Sequence, residues 1–312
     1  MSTLSSFQGV SFSQTGGARR AGLLVDGQVI DIELDLAAMT IPAGVQMQLH
    51  AHGLEPSAGG WMRWLQAGPN ARTVLRASLA ASLADRPRHP LLSVQLHAPL
   101  ARPGKIVAIG RNYADHAKET GVQPFEKPRI ISKLPSSVCD PGATVPIPAD
   151  VTKMDFEAEL AVVIGSRAHA VSRADALSHV AAYCCLNDLS AREFQFDVSP
   201  AQTTFAKSMD GFCPLGPLLL DAADVADPQD LWVRSWVNGQ PMQEANTHDM
   251  LFPVAELIHY ISQYMTLEPG DVLATGTPAG IGAFRTPPVW LKRGDTIRVE
   301  VSGMGSLVTQ IG

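Results

Sequence analysis

Residues 20–34, RAGLLVDGQVIDIEL, set two short apolar runs on either side of Asp26-Gly27, a spacing that predicts a β-hairpin with a two-residue turn. From Trp61 to about Ala84 the pattern turns helical, with Trp64, Val74, Leu75 and Leu79 spaced among alanine-rich residues. Four prolines between Arg86 and Pro103 then predict an extended connector. They place a boundary near residue 100, giving a small N-terminal domain (1–100) and a larger one (101–312). Beyond it KIVAIG reads as a strand, ADHAKETG as a short helix stopped by Gly121, and ELAVVIG as a buried strand. Ser172, with Asp175 three positions on, predicts a helix whose apolar stripe is Leu177, Val180, Ala181 and Cys184, leading into LNDLSARE. LWVRSWV, Asn238-Gly239 and QPMQ predict a second hairpin. VAELIHYISQYM carries Val254, Leu257, Ile258, Ile261 and Met265 at helical spacing. VLATGTPAGIG, DTIRVEVSG and SLVTQIG follow as strand and loop pieces. No period of 20 to 50 residues repeats, so a solenoid or propeller is not expected. Strands outnumber helices and the two do not alternate regularly, which predicts a β-rich α+β fold rather than a barrel of eight β/α units.

One stretch breaks the apolar pattern. KMDFEAELAVVIG (153–165) crowds Asp155, Glu157 and Glu159 onto the first half of a segment that ends as hydrophobe. As a continuous strand it puts the three carboxylates on one face and Phe156, Ala158 and Leu160 on the other. Like charges beside a packed core need a cationic partner, for which a bound metal is the leading candidate.

Composition narrows the function. The 312 residues are 46% hydrophobic, enough apolar surface for a large core in a soluble globular protein. The formal charge of -6 is spread without basic runs, which argues against nucleic acid or an anionic membrane and for a small-molecule partner. The N-terminal residues lack a secretory pattern and no apolar run reaches the length of a membrane span, so a cytoplasmic protein is expected. Cys139, Cys184, Cys185 and Cys213 show no C-x-x-C spacing and read as reduced, structural thiols.

Glu157, Glu159 and, 29 positions later, Asp188 offer three hard oxygen ligands, suited to Mg²⁺, Mn²⁺ or Ca²⁺ rather than zinc. By itself this pattern also fits a solvated strand face followed by a helix-terminal aspartate. His116 and Glu119, three apart in GRNYADHAKETG, can meet on one helical turn, where a carboxylate beside an imidazole could activate water. An exposed polar helix face is the ordinary alternative. His50-Ala51-His52 has no further ligands nearby. Lys207, in FAKSMDGF, sits in a strand-like segment and either reaches into a cleft or lies along the surface. The glycine-rich TGTPAGIG (275–282) offers backbone N–H groups that could hold a carboxylate or phosphate, or is a plain turn. It matches neither the Walker loop nor G-x-G-x-x-G.

Taken in order, GRNYADHAKETG, DFEAELAVVIG, NDLSAR, KSMDGFCPLGP, VNGQPMQEANTHDM and LEPGDVLATGTPAGIG resemble the fumarylacetoacetate hydrolase family, from about Gly104 to the C-terminus. The resemblance implies a mixed β-roll or sandwich catalytic domain behind a small N-terminal α+β domain, and a homodimer. It implies that Glu157, Glu159 and Asp188 bind Mg²⁺ or Mn²⁺, with Asp155 outside the ligand set. His116 and Glu119 match a water-activating pair on a lid, and Lys207 matches a lysine that stabilises developing negative charge. Arg111, Tyr113, Lys133, Gln195 and Thr277 match positions that contact the oxygens of a 2-oxo acid substrate. Two departures stand out: Glu193 where the family usually has aspartate, and FQFDVSPAQTTF, which lacks the cationic and glycine residues of close relatives. The implied chemistry is hydrolytic C–C cleavage of an acylpyruvate or β-diketo acid. Oxaloacetate decarboxylation, hydration or isomerisation of a 2-oxo-enoate, and a non-catalytic binding role on the same fold are the alternatives.

Overall fold

A computed structural model describes residues 6–51, 55–119, 123 and 125–312. The helix stop expected at Gly121 and the second histidine of His50-Ala51-His52 lie outside the described residues.

The protein is built on a twelve-stranded mixed sheet and a five-stranded sheet packed against it. Strand Ala158–Ile164 lies centrally, antiparallel to Val180–Asn187 on one side and Val272–Ala274 on the other, and all seven of its residues are buried. Because both faces are covered, the strand is apolar at every position except Glu159. Leu160, Val162 and Ile164 enter the core shared with the five-stranded sheet and with helix Val254–Ser262. Ala161 and Val163 enter a second core under Trp61, Trp64, Leu75 and Leu79 of the N-terminal helices.

Both predicted hairpins form. Arg20–Val25 pairs with Gln28–Asp31, and Trp232–Val237 with Gln240–Asn246. Their turns hold Asp26-Gly27 and Asn238-Gly239 at positive φ (49° and 72°; 51° and 79°), the backbone that two-residue hairpins require. The N-terminal strands join the large sheet directly, since Gln8–Ser13 pairs with Cys213–Asp221. The proline-rich connector is extended, but it also contributes short strands, Arg88–Pro90 on Gln28–Asp31 and Gln95–His97 on Gln8–Ser13.

Several expectations are corrected. The helix expected after Ser172 is only a 3₁₀ turn, Ala176–His179, and Val180–Asn187 is a buried strand whose Ala181 and Cys184 face one core and Cys185 the other. A run buried on both faces carries apolar residues at every spacing, so helical periodicity can be read into a strand. Val74 and Met265 are 69% and 39% exposed and lie outside the stripes assigned to them. Lys207 follows the short helix Thr203–Ala206 instead of sitting in a strand. Among the described residues no helix is long and apolar enough to cross a membrane.

Candidate active site

The acidic segment does not run as one continuous strand. Met154–Asp155 pairs with Ser190–Ala191 in a separate two-stranded ribbon, and the central strand starts only at Ala158. Register then does what sequence distance conceals. Ala158 lies opposite Asn187, so Glu157 and Asp188 stand side by side just beyond the paired ends of two antiparallel strands. Asp188 N–H donates to the Glu157 carbonyl (2.9 Å) and Glu157 N–H to Asn187 Oδ1 (3.2 Å). Asp188 therefore comes from a strand end, not the helix end expected. Ligand oxygens of Glu157, Glu159 and Asp188 all lie within 4.8 Å of one another, and all three residues are buried.

The protein itself supplies part of the cation that the sequence assigned to a metal. Arg192, 2% exposed, donates to Asp155 (2.8 Å) and to Glu157 Oε1 (2.6 Å). Lys207 Nζ donates to Glu157 Oε2 (2.8 Å), Asp188 Oδ2 (2.7 Å) and Ser190 Oγ (2.9 Å). Lys133 Nζ donates to Asp188 Oδ1 (2.7 Å) and to the Phe212 and Lys207 carbonyls. Burial alone would raise the Glu157 pKa, but Lys207 and Arg192 hold it far below the usual carboxylate range. Glu159 is the opposite case. Burial and the neighbouring charges of Asp188 and Glu157 push its carboxyl well up, against Lys207 and one hydrogen bond from Gly276 N–H (2.8 Å).

Four buried carboxylates, at 155, 157, 159 and 188, thus share three cations, at 133, 192 and 207. An all-oxygen donor set with one charge uncompensated fits a hard divalent cation. The Tyr113 hydroxyl is buried without a hydrogen-bond partner, and burial, then the charge of Glu159, raise its pKa, so polar capacity remains there. The residues present therefore fit Mg²⁺ or Mn²⁺.

The glycine-rich loop holds carboxylates, as its free amides suggested, but they are the protein's own. Gly276 binds Glu159, Gly280 N–H donates to Glu119 Oε1 (3.1 Å), and the N–H groups of Gly282 and Ala283 donate to Asp155 (2.7 and 3.1 Å). Gly276 has φ 98°, and a Cβ there would sit 2.9 Å from the Ile109 carbonyl, so only glycine lets this loop approach.

Helix Ala114–Glu119 carries His116 Nδ1 3.1 Å from Glu119 Oε2. Glu119's other oxygen is tied to Gly280, which docks the helix on the glycine-rich loop over a cavity. His116, Glu157, Asp188 and Lys207 line that cavity, and so do Arg111, Gln195 and Thr277. Phe284 packs edge-on to His116 and tilted against Phe196, a partial apolar cover. Tyr113 and Lys133 lie behind the lining, and Thr277 Oγ1 is already bonded to the Ala158 carbonyl (2.9 Å) and Gln243 (2.7 Å). Gln195 Oε1 accepts from Arg192 Nη1 (2.7 Å). Glu193 caps the backbone N–H groups of Thr152 and Lys153 (2.6 and 3.1 Å), away from the triad.

Sequence reasoning missed Arg192, and also Arg129, which lines the same cavity. Arg192 stands in the quoted NDLSAR, and the crowding of Asp155 and Glu157 demanded a cation, but only the fold shows that an arginine answers it.

Residues 105–312 match the fumarylacetoacetate (FAA) hydrolase C-terminal family model, two thirds of the chain. The chain belongs to the fumarylacetoacetate hydrolase family of enzymes. It is 41% identical over 250 residues to the mitochondrial oxaloacetate tautomerase FAHD2A of Bos taurus, covering 80% of this chain and 79% of that protein. A fumarylacetoacetate hydrolase from Exiguobacterium antarcticum superposes with a TM-score of 0.77 at 33% identity, over 98% of this chain and 99% of that one. Maleylpyruvate hydrolase from Sphingobium sp. SYK-6, solved with manganese(II) and pyruvate, gives 0.75 at 29% identity, over 97% and 98%.

Proposed function

We propose that this enzyme binds a 2-oxo acid at Glu157, Glu159 and Asp188 with the help of Mg²⁺ or Mn²⁺, and that its reaction is proton transfer at the carbon next to the oxo group. Keto–enol interconversion of oxaloacetate is the leading reaction, ahead of acylpyruvate hydrolysis, and the similarity to oxaloacetate tautomerases supports this reading. The observation that carries the reading is the His116–Glu119 pair, held beside the cavity lined by Glu157 and Asp188.

When bound, the divalent ion would act as a Lewis acid on the oxo oxygen. The chain's own residues do the rest. His116, oriented by Glu119, takes the C3 proton as the C–H electron pair becomes the C2–C3 double bond. Lys207 Nζ places a fixed positive charge beside the oxygen that becomes negative. Return of the proton to that oxygen gives the enol, with no net change in atoms. Phe196 and Phe284 limit water at the reacting carbon.

Acylpyruvate hydrolysis is the second reading, favoured by the maleylpyruvate hydrolase neighbour, since the same pair could direct water at a distal carbonyl. Following enol absorbance with oxaloacetate, and pyruvate release from acylpyruvates and oxaloacetate, separates tautomerisation, hydrolysis and decarboxylation. Glu119→Gln is expected to lower kcat about 10²–10⁴-fold while the metal-induced rise in Tm persists. An unchanged rate overturns the role assigned to the pair. A homodimer, on family resemblance, and the mitochondrial compartment named for the tautomerase relatives, in place of the cytoplasm expected from the sequence, belong to the same reading.

A further inference from the structure

The cavity carries opposite charge in different places. Glu157 and Asp188 reach it from the carboxylate cluster with their partners Arg192 and Lys207, and two further arginines, Arg111 and Arg129, line it from the end of one strand and the start of its neighbour. Their position follows from register. Arg129 opens strand Arg129–Lys133 and lies opposite Gly110, the last residue of strand Ile106–Gly110. Its stem crosses that glycine, since a Cβ at Gly110 would come within 3.3 Å of Arg129 Cδ. Arg111 comes next in the chain, and its φ of 58° turns the backbone sharply out of the strand, a conformation a non-glycine residue adopts at a cost.

Both arginines therefore line the cavity from adjoining positions. Burial, and after it the like charge of Arg129, lower the Arg111 pKa. An arginine lying along an apolar surface with its head in water is the commoner arrangement. Here Arg111 lies over the Phe125 ring, 5.7 Å from its centroid, and both half-buried heads face a cavity that also holds the reaction centre, where an anion would be attracted to the pair. The planar fork of arginine is the side chain best matched to a carboxylate.

We propose that Arg129, together with Arg111, receives the second carboxylate of a 2-oxo dicarboxylate, making the enzyme selective for dicarboxylic over monocarboxylic 2-oxo acids. This rests on the reading that the carboxylate cluster takes the 2-oxo acid end. Arg129 has no role in the proton transfer; it sets which substrate is held.

Equilibrium binding to the Mn²⁺-loaded protein tests this without turnover. Oxalate carries only the chelating end, whereas malate carries a chelating 2-hydroxy acid and a second carboxylate. Arg129→Met is expected to weaken malate about 10–100-fold and leave oxalate within about two-fold, with Arg129→Lys intermediate. Equal weakening of both ligands, no weakening of malate, or no malate binding by the unaltered protein overturns the proposal. If the unaltered protein binds both ligands but turns over no 2-oxo acid, the reaction fails and the carboxylate site stands. In steady state the same variant raises KM for oxaloacetate while that for its 4-methyl ester stays unchanged.

Discussion

Two buried polar constellations in this molecule look equally chemical on paper. One is the Glu157–Glu159–Asp188 cluster. The other, where the N-terminal strands meet the body, sets Ser13 Oγ 2.8 Å from His97 Nε2 and His97 Nδ1 2.8 Å from Asp140 Oδ2, the hydrogen-bond order of a hydrolytic triad. Ser13 and His97 are both 6% exposed, Asp140 is satisfied by Ala98 N–H (2.9 Å) and Arg19 (2.7 Å), and none of the three lines the active-site cavity. The first cluster is short of one positive charge and opens on a cavity; the second is neutralised by Arg19 and lines no part of that cavity. Residue types alone do not make a site. Uncompensated charge facing accessible space does.

The sharpest way to break the contrast is to remove a ligand. Glu159→Gln should abolish the Mn²⁺-dependent rise in Tm and lower kcat by at least about 10³-fold. Because neighbouring charge and burial raise the Glu159 carboxyl pKa, the folded state binds that proton more readily than the unfolded chain does. The ionised carboxylate therefore costs stability as pH rises above its ordinary titration range, and the metal-free Glu159→Gln protein should melt no lower than the parent at pH 7. A large loss of stability there would show that Glu159 is well compensated after all.

Lys207→Met comes next. It leaves Glu157 and Asp188 each short of a partner in a buried site, with an expected loss of about 3–5 kcal/mol in urea unfolding without metal, partly restored by Mn²⁺. His97→Ala addresses the second cluster. Its loss strands Ser13 and Asp140 and should destabilise by about 1–3 kcal/mol while kcat and KM stay at parent values. A selective loss of activity at unchanged stability would mean that the second constellation is a site. Smallest of all, Val74→Ser on the exposed side of its helix should change stability by less than about 0.5 kcal/mol.

The local pattern carried most of the fold's vocabulary. Asp26-Gly27 and Asn238-Gly239 announced their turns because two consecutive residues at positive φ admit few sequences. Helix Val254–Ser262 showed its buried stripe because one face meets a core. Val180–Asn187 misled because both its faces are buried, which erases the period that separates strand from helix. In the site, the three acids, the His116–Glu119 pair and Lys207 were each ambiguous as isolated spacings, and only the ordered set of motifs, through the family resemblance, singled them out.

By itself, then, the sequence determined most of the elements, the family and the residues of the acidic cluster, because periodicity, turn chemistry and motif spacing are written within a few residues of chain. The tertiary structure decided which charges meet: Ala158 opposite Asn187 brings Glu157 to Asp188, Arg192 and Lys207 take up two carboxylate partnerships each, and Gly110 opposite Arg129 brings a second arginine to the cavity beside Arg111. Strand register and loop approach join residues tens to more than a hundred positions apart, and a slip of one residue would turn every side chain to the other face, so no local pattern could fix those pairings.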